Sequence, residues 1–91
     1  ALHGERGNVD VNSKIRETIA AYGRLPVDVA TLADHDDLYQ AGLTSHASVN
    51  VMLALEDEFD IEFPEQMLRR QTFESVASIS DAIEQISAAA V

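Results

Sequence analysis

Residues 42–64 read GLTSHASVNVMLALEDEFDIEFP, and this stretch decides the fold. Gly42 tolerates the backbone angles of a tight turn better than any residue with a side chain. Thr44 and Ser45 follow, and either can cap a helix, because a short side-chain oxygen accepts a free backbone N–H. An Ala-, Leu- and Met-rich run then ends in Glu56, Asp57 and Glu58, and Pro64 resists extension. The pattern predicts a helix of about four turns with a serine at its N-terminal tip.

Apolar residues lie on more than one side of this helix. Ser48, Val51, Met52, Leu55 and Phe59 recur at spacings of three and four and make one face. A small bundle needs such a stripe for its core. His46, Val49, Leu53 and Glu56 or Asp57 make a second, partly apolar face. Periodicity leaves two readings of it open: a wide core face or a docking surface.

Outward from the helix, the other elements follow in turn. Val11, Ile15, Ile19 and Tyr22 predict a first helix over residues 11–22, with Lys14, Arg16 and Glu17 turned outward. Asp10 or Asn12 is positioned to cap it and Gly23 to end it. Residues 24–43 show no sustained period, and a loop this long in a small domain is unusual unless it packs or functions. Leu25, Val29, Leu32, Leu38, Tyr39 and Leu43 punctuate it. They are expected to pin it across the bundle, with a short helical turn near residues 37–41. Residues 65–70 read as one short helix with Pro64 near its start and Met67 and Leu68 facing inward. Val76, Ile79, Ile83 and Ile86 predict a last helix over residues 75–88, with Ser75 as its cap and Phe73 packed just before it. The expected fold class is all-α: a small four-helix bundle with three longer helices, one short one and a long first loop.

Ninety-one residues suffice for one modest core and not for two. Residues 1–11 are expected to be a flexible N-terminal extension and residues 12–88 the domain. No apolar run approaches a membrane span. There is no cysteine, which rules out a disulfide framework and fits a cytoplasmic protein. The formal net charge is −10, and its distribution says more than its size. Nine acids and no Lys or Arg lie between residues 34 and 65, whereas the rest of the chain has seven acids and six bases. Such a field repels nucleic acid and anionic membrane and attracts basic protein surfaces. The alternative is an acidic surface kept for solubility.

Catalytic and metal readings find little support. Adjacent helical residues project about 100° apart, so Ser45 and His46 make no natural dyad. His3, His35 and His46 lack metal-ligand spacing. Counted as a calcium loop from Asp57, the acidic run has Phe59 third and Glu62 sixth, where glycine is required. No catalytic residue and no metal site are expected.

A serine at a helix tip after a Gly-containing turn, followed by V-x-x-x-x-A-L-E-x-x-F-D-I-x-x-P, resembles the acyl carrier protein family, over about residues 12–86. That resemblance implies a non-catalytic carrier of the acyl-carrier bundle type, with 4′-phosphopantetheine attached to Ser45 and an acyl group carried on its thiol. It also implies a phosphopantetheinyl transferase, an acyl-loading enzyme and a downstream acyl acceptor enzyme as partners of a monomer. Thr44, His46, Val49, Asn50, Leu53, Glu56 and Asp57 are the partner-binding candidates. The usual Asp-Ser-Leu is here Thr44-Ser45-His46, and Ala47 and Asn50 stand where carriers of fatty acid synthesis commonly have acids. Residues 37–76 are similar to a group of stand-alone bacterial carriers loaded with amino acids by ATP-dependent amino acid:carrier protein ligases. The expected cargo is therefore an aminoacyl group. The alternatives are an ordinary acyl carrier of fatty-acid or polyketide type and, from another class, an unmodified acidic interaction module.

Overall fold

The computed structural model describes the backbone of residues 3–89 and the side chains of residues 11–88. The part of the expected N-terminal extension that falls on residues 1 and 2 lies outside the described residues, as do residues 90 and 91. The described backbone is all-α, with four helices and no strand: α1 (His3–Tyr22), α2 (Leu38–Ala41), α3 (Ser45–Phe59) and α4 (Val76–Ala89). Three 3-10 turns, Val29–Thr31, Glu65–Met67 and Arg70–Phe73, complete it.

The core is built from the stripes that periodicity marks. Ile15 and Ile19 of α1, Val51 and Leu55 of α3, and Val76, Ile79 and Ile83 of α4 are buried against one another. Val11, Met52, Phe59 and Ile86 flank this cluster, half-buried. Burying each large side chain contributes about 1.5–3 kcal/mol against exposure, which is what holds three short helices together. One residue of the expected stripes is placed differently. Tyr22, expected on the core stripe, is exposed, and the buried stripe of α1 ends at Ile19. Ala47, which the apolar stripe does not include, is also buried, at 4% exposure, on the core face of α3.

The starts of α1 and α4 compare differently with the local signals. α1 begins at His3, well before the expected start near residue 11, so Asp10 and Asn12 lie inside the helix and neither caps it. Gly4 and Gly7 argue against helix on propensity, at about 1 kcal/mol each relative to Ala, and that is why the sequence pattern places the start later. At α4 the cap is as expected. Ser75 Oγ accepts from Ser78 N–H at 3.1 Å, and Ser78 Oγ accepts from Ser75 N–H at 3.1 Å. This reciprocal pair is a capping box with serine in the usual place of Glu or Gln.

The long loop before α3 is pinned, as its apolar punctuation predicts. Val29, Leu38 and Leu43 are buried, and Leu25, Leu32 and Tyr39 pack half-buried on the core. Asp37 caps α2 by accepting from Tyr39 and Gln40 N–H. Arg16, expected to face outward, instead supplies the polar tie. Its guanidinium donates to Val29 O at 2.9 Å, Leu32 O at 2.8 Å and Asp34 Oδ1 at 2.6 Å. Val29 O also accepts from Leu32 N–H, but Leu32 O would otherwise lack a donor, a cost that outweighs keeping the side chain in water. Backbone bonds complete the attachment, from Ala77 N–H to Asp34 O and from Leu38 N–H to Glu74 O.

Residues 65–70 do not make the single helix expected. Two 3-10 turns replace it, broken where Leu68 takes ψ 67° and Arg69 becomes extended. The buried rings of Phe63 and Phe73 meet edge-to-face with centroids 5.3 Å apart, and the short segment between them bends to bring them together. Met67 packs on the core, but Leu68 is turned out and 48% exposed.

Gly42 follows α2 at φ 124°, a conformation that L side chains rarely adopt. A Cβ there would also lie 2.5 Å from Pro26 Cδ. Gly42→Ala is therefore expected to destabilise the domain by at least the ~1–3 kcal/mol of a forced backbone outlier. Urea unfolding of the purified variant measures this; a midpoint equal to wild type would contradict it.

Candidate functional site

The tip of α3 is fixed by the three residues before it. Gly42 turns the chain, Leu43 is buried and bonds through its N–H to Leu38 O at 2.9 Å, and Thr44 takes the extended conformation of a cap. Thr44 Oγ1 accepts from Ala47 N–H at 3.0 Å, and its carbonyl accepts from Ser48 N–H. This settles the choice of cap left open by the sequence: Thr44 caps the helix, and Ser45 is its first residue. Ser45 is exposed, and its hydroxyl makes no hydrogen bond among the described residues. The first-turn N–H groups of Ser45 and His46 are likewise unpaired there. No acidic residue occupies the first turn of α3. Such a tip attracts an anion through its free N–H groups and the helix dipole.

Beside Ser45 lies a groove of about 360 Å³ between α3 and the segment leading to α4. Ser45, Ser48, Val49 and Met52 line one side, and Tyr39, Leu68, Arg69, Arg70 and Phe73 the other. The Arg70 guanidinium sits 4.2 Å from the centre of the Tyr39 ring, a cation–π contact that holds it at the rim. Periodicity missed this second wall, because it assigned Leu68 to the core. One signal was available: the sign of the charge reverses at Arg69 and Arg70, immediately after the acidic stretch. A larger cavity, about 490 Å³, opens between Asn12, Asp34, His35 and α4. It does not include Ser45, and the chemistry read from the sequence lies at the smaller groove.

The partner-binding candidates form a stripe along α3 away from the core. Thr44, His46, Val49, Leu53 and Asp57 are exposed, and Asn50 is half-buried. Val49 and Leu53 are about half exposed, at 50% and 53%, so the surplus stripe is surface and not a wide core face. Glu56 is partly withdrawn from it, since its Oε2 accepts from Phe63 N–H at 2.9 Å and helps end the helix. Asp60 follows in the left-handed conformation at φ 54°, and Ile61 N–H returns to Glu56 O. Among the described residues no three His, Cys, Asp or Glu side chains are grouped to hold a metal ion, and no helix is long and apolar enough to cross a membrane.

Comparison with known proteins agrees with this geometry. The family model described as "Phosphopantetheine attachment site" matches residues 13–83. The chain is 50% identical over 76 residues to an aminoacyl carrier protein of Agrobacterium fabrum, covering 84% of this chain and 92% of the relative. Among solved structures, it resembles a chain in the crystal structure of an engineered Bradyrhizobium japonicum glycine:carrier protein ligase complexed with carrier protein from Agrobacterium tumefaciens and ATP. The TM-score is 0.82 at 50% identity, covering 84% of this chain and 99% of that one. A chain in the structure of the Bradyrhizobium japonicum ligase complexed with glycylated carrier protein matches with a TM-score of 0.69 at 28% identity, covering 79% of this chain and 96% of that one. The chain therefore belongs to the phosphopantetheine attachment family, as a carrier that other enzymes modify and load and not as a catalyst in its own right.

Proposed function

We propose that Ser45 carries the phosphopantetheine and that the cargo is an amino acid, placed on the cofactor's thiol by a dedicated ATP-dependent amino acid:carrier protein ligase. The observation that carries the reading is the tip of α3: an exposed, unbonded serine hydroxyl beside two unpaired N–H groups, with no acid in the first turn. These residues fit the group. The hydroxyl is accessible for ester formation, and the N–H groups suit the phosphodiester that results. When bound, the cofactor supplies a thiol on which an acyl group travels as a thioester. Likeness to carriers named for aminoacyl groups and to carriers seen with glycine ligases supports the cargo.

Residues 12–88 are the carrier domain in this reading, and the work is cytoplasmic, where ATP and the transferase's cofactor donor are at hand. A downstream enzyme accepts the amino acid. Thr44, His46, Val49, Asn50, Leu53 and Asp57 form the face read by partners, with Glu56 contributing at its edge. Val49 and Leu53 supply its apolar anchors, and the acids beyond them attract a basic surface.

Coexpression with a phosphopantetheinyl transferase is expected to add one cofactor by intact mass, and Ser45→Ala to abolish the gain with the fold intact. Full modification of the alanine variant would sink the assignment. Offered to an amino acid:carrier protein ligase with ATP and glycine or alanine, the modified protein should accept the amino acid, whereas a malonyl transferase should load it poorly. Efficient malonyl loading with no aminoacyl transfer would return it to the ordinary acyl carriers.

The two faces of α3 should also respond differently. Val49→Asp or Leu53→Asp is expected to slow loading while leaving the thermal midpoint close to wild type. Leu55→Ala should instead cost about 2–5 kcal/mol of stability. The opposite ordering in paired melting and loading assays would reverse the assignment of the faces.

A further inference from the structure

We propose that Arg16 is a positioning residue for the modification of Ser45, its guanidinium fixing the loop that delivers the tip of α3 to a partner enzyme. This rests on the reading of Ser45 as the attachment residue. Arg16 lies on α1 and makes no hydrogen bond to Ser45 or to the stripe proposed for partners. Its three bonds go to the loop, to Val29 O at 2.9 Å, Leu32 O at 2.8 Å and Asp34 Oδ1 at 2.6 Å. Only 25% of its side chain is exposed, so it is drawn onto the fold rather than left in water as a surface base.

The chain from Asp34 to Ser45 is held in series. Asp34 O accepts from Ala77 N–H at 2.9 Å, and Leu38 N–H donates to Glu74 O at 2.7 Å, so the loop meets α4 at two points. Asp37 then caps α2, Gly42 passes against Pro26, and Leu43 N–H closes on Leu38 O. Thr44 sets the direction of the first turn of α3. Val29, Leu38 and Leu43 hold the loop down, but apolar burial is non-directional. A planar fork of donors fixes direction as well as distance. Transfer to a hydroxyl needs its oxygen in one place, and a displacement of about 1 Å can cost on the order of 10²-fold in rate. A tip that spends time out of place also weakens apparent affinity by the fraction of competent molecules. Loss of Arg16 is therefore felt at Ser45 while the helices stay packed, since Ile15 and Ile19 carry the share of α1 in the core.

The test follows modification of the full chain by a phosphopantetheinyl transferase, using intact mass, for wild type, Arg16→Ala and Arg16→Lys. Arg16→Ala is expected to lose about tenfold or more in kcat/KM. Arg16→Lys, whose ammonium is a point charge without the fork, should fall between it and wild type. Amide hydrogen exchange at Leu43, Ala47 and Ser48 should quicken in Arg16→Ala while that at Ile19 and Ile79 stays slow, which separates a displaced tip from an unfolding chain. Guanidinium chloride at tens of millimolar should restore part of the rate to Arg16→Ala, and sodium chloride at the same concentration should not. A wild-type kcat/KM in Arg16→Ala would overturn the proposal and leave the attachment reading standing. So would a slowed variant whose three tip amides exchange as in wild type, because Arg16 would then act by touching the transferase, and so would a rate that guanidinium leaves unchanged. Should Arg16→Ala fail to fold, Arg16→Lys decides by the same rate and the same amides. A wild type that accepts no cofactor would remove the attachment reading and this proposal together.

Discussion

The position of Ser45 depends on how the loop before it is held, and that depends on Arg16. The loop from Gly23 to α3 has only one 3-10 turn and the four-residue α2 of its own, so its carbonyls must find donors elsewhere. Arg16 supplies three charge-assisted bonds from α1, to two carbonyls and to Asp34. Such bonds contribute about 1.5–3 kcal/mol each when shielded, and less at Asp34, whose side chain is half exposed. Asp34 in turn accepts the free N–H of Ala77 in the first turn of α4. One side chain thus couples α1, the loop and α4, and the loop delivers Gly42, Leu43 and Thr44 to the start of α3. The apolar stripes of the helices alone would not set the loop's path.

Much of this was legible because it rests on one-dimensional regularities. The stripe Val51–Leu55 in α3, and those of Ile15 with Ile19 and Val76 with Ile79 and Ile83, follow from a spacing that burial requires of any amphipathic helix. Gly42 and Thr44 were legible from backbone chemistry, and the loop's apolar punctuation from its spacing. What was hidden depended on partners distant in sequence. Arg16 reads as an outward base on a helix wheel, and nothing local says that carbonyls of Val29 and Leu32 lie within its reach. The break at Leu68 lies between Phe63 and Phe73, whose rings meet edge-to-face. Ala47 is too small to weigh in a hydrophobic pattern, yet it is buried at 4% exposure. The second wall of the groove was lost with Leu68, since a residue placed in the core cannot also line a surface.

The charge on α3 is arranged against the helix's own stability. Glu56, Asp57 and Glu58 occupy its last turns, where the dipole favours cations, and no base is present there. Each misplaced charge costs about 0.3–1 kcal/mol near the surface. Part is offset: Glu56 accepts Phe63 N–H, and Glu58 meets Lys14 at 2.9 Å in an exposed bridge that contributes about 0.2–1 kcal/mol. Asp57 has no such compensation among the described residues. Solubility could be served by acids at the other end of the same helix, where they would stabilise it. Their location at the C-terminal end leaves the tip at Ser45 free of negative charge, as the proposed attachment of an anionic group there requires. The same arrangement puts Asp57 on the exposed stripe of Val49 and Leu53, the face proposed for partners. The helix thus gives up stability at one end and presents a surface with two poles: a tip with free N–H groups and no acid, and an acidic C-terminal end.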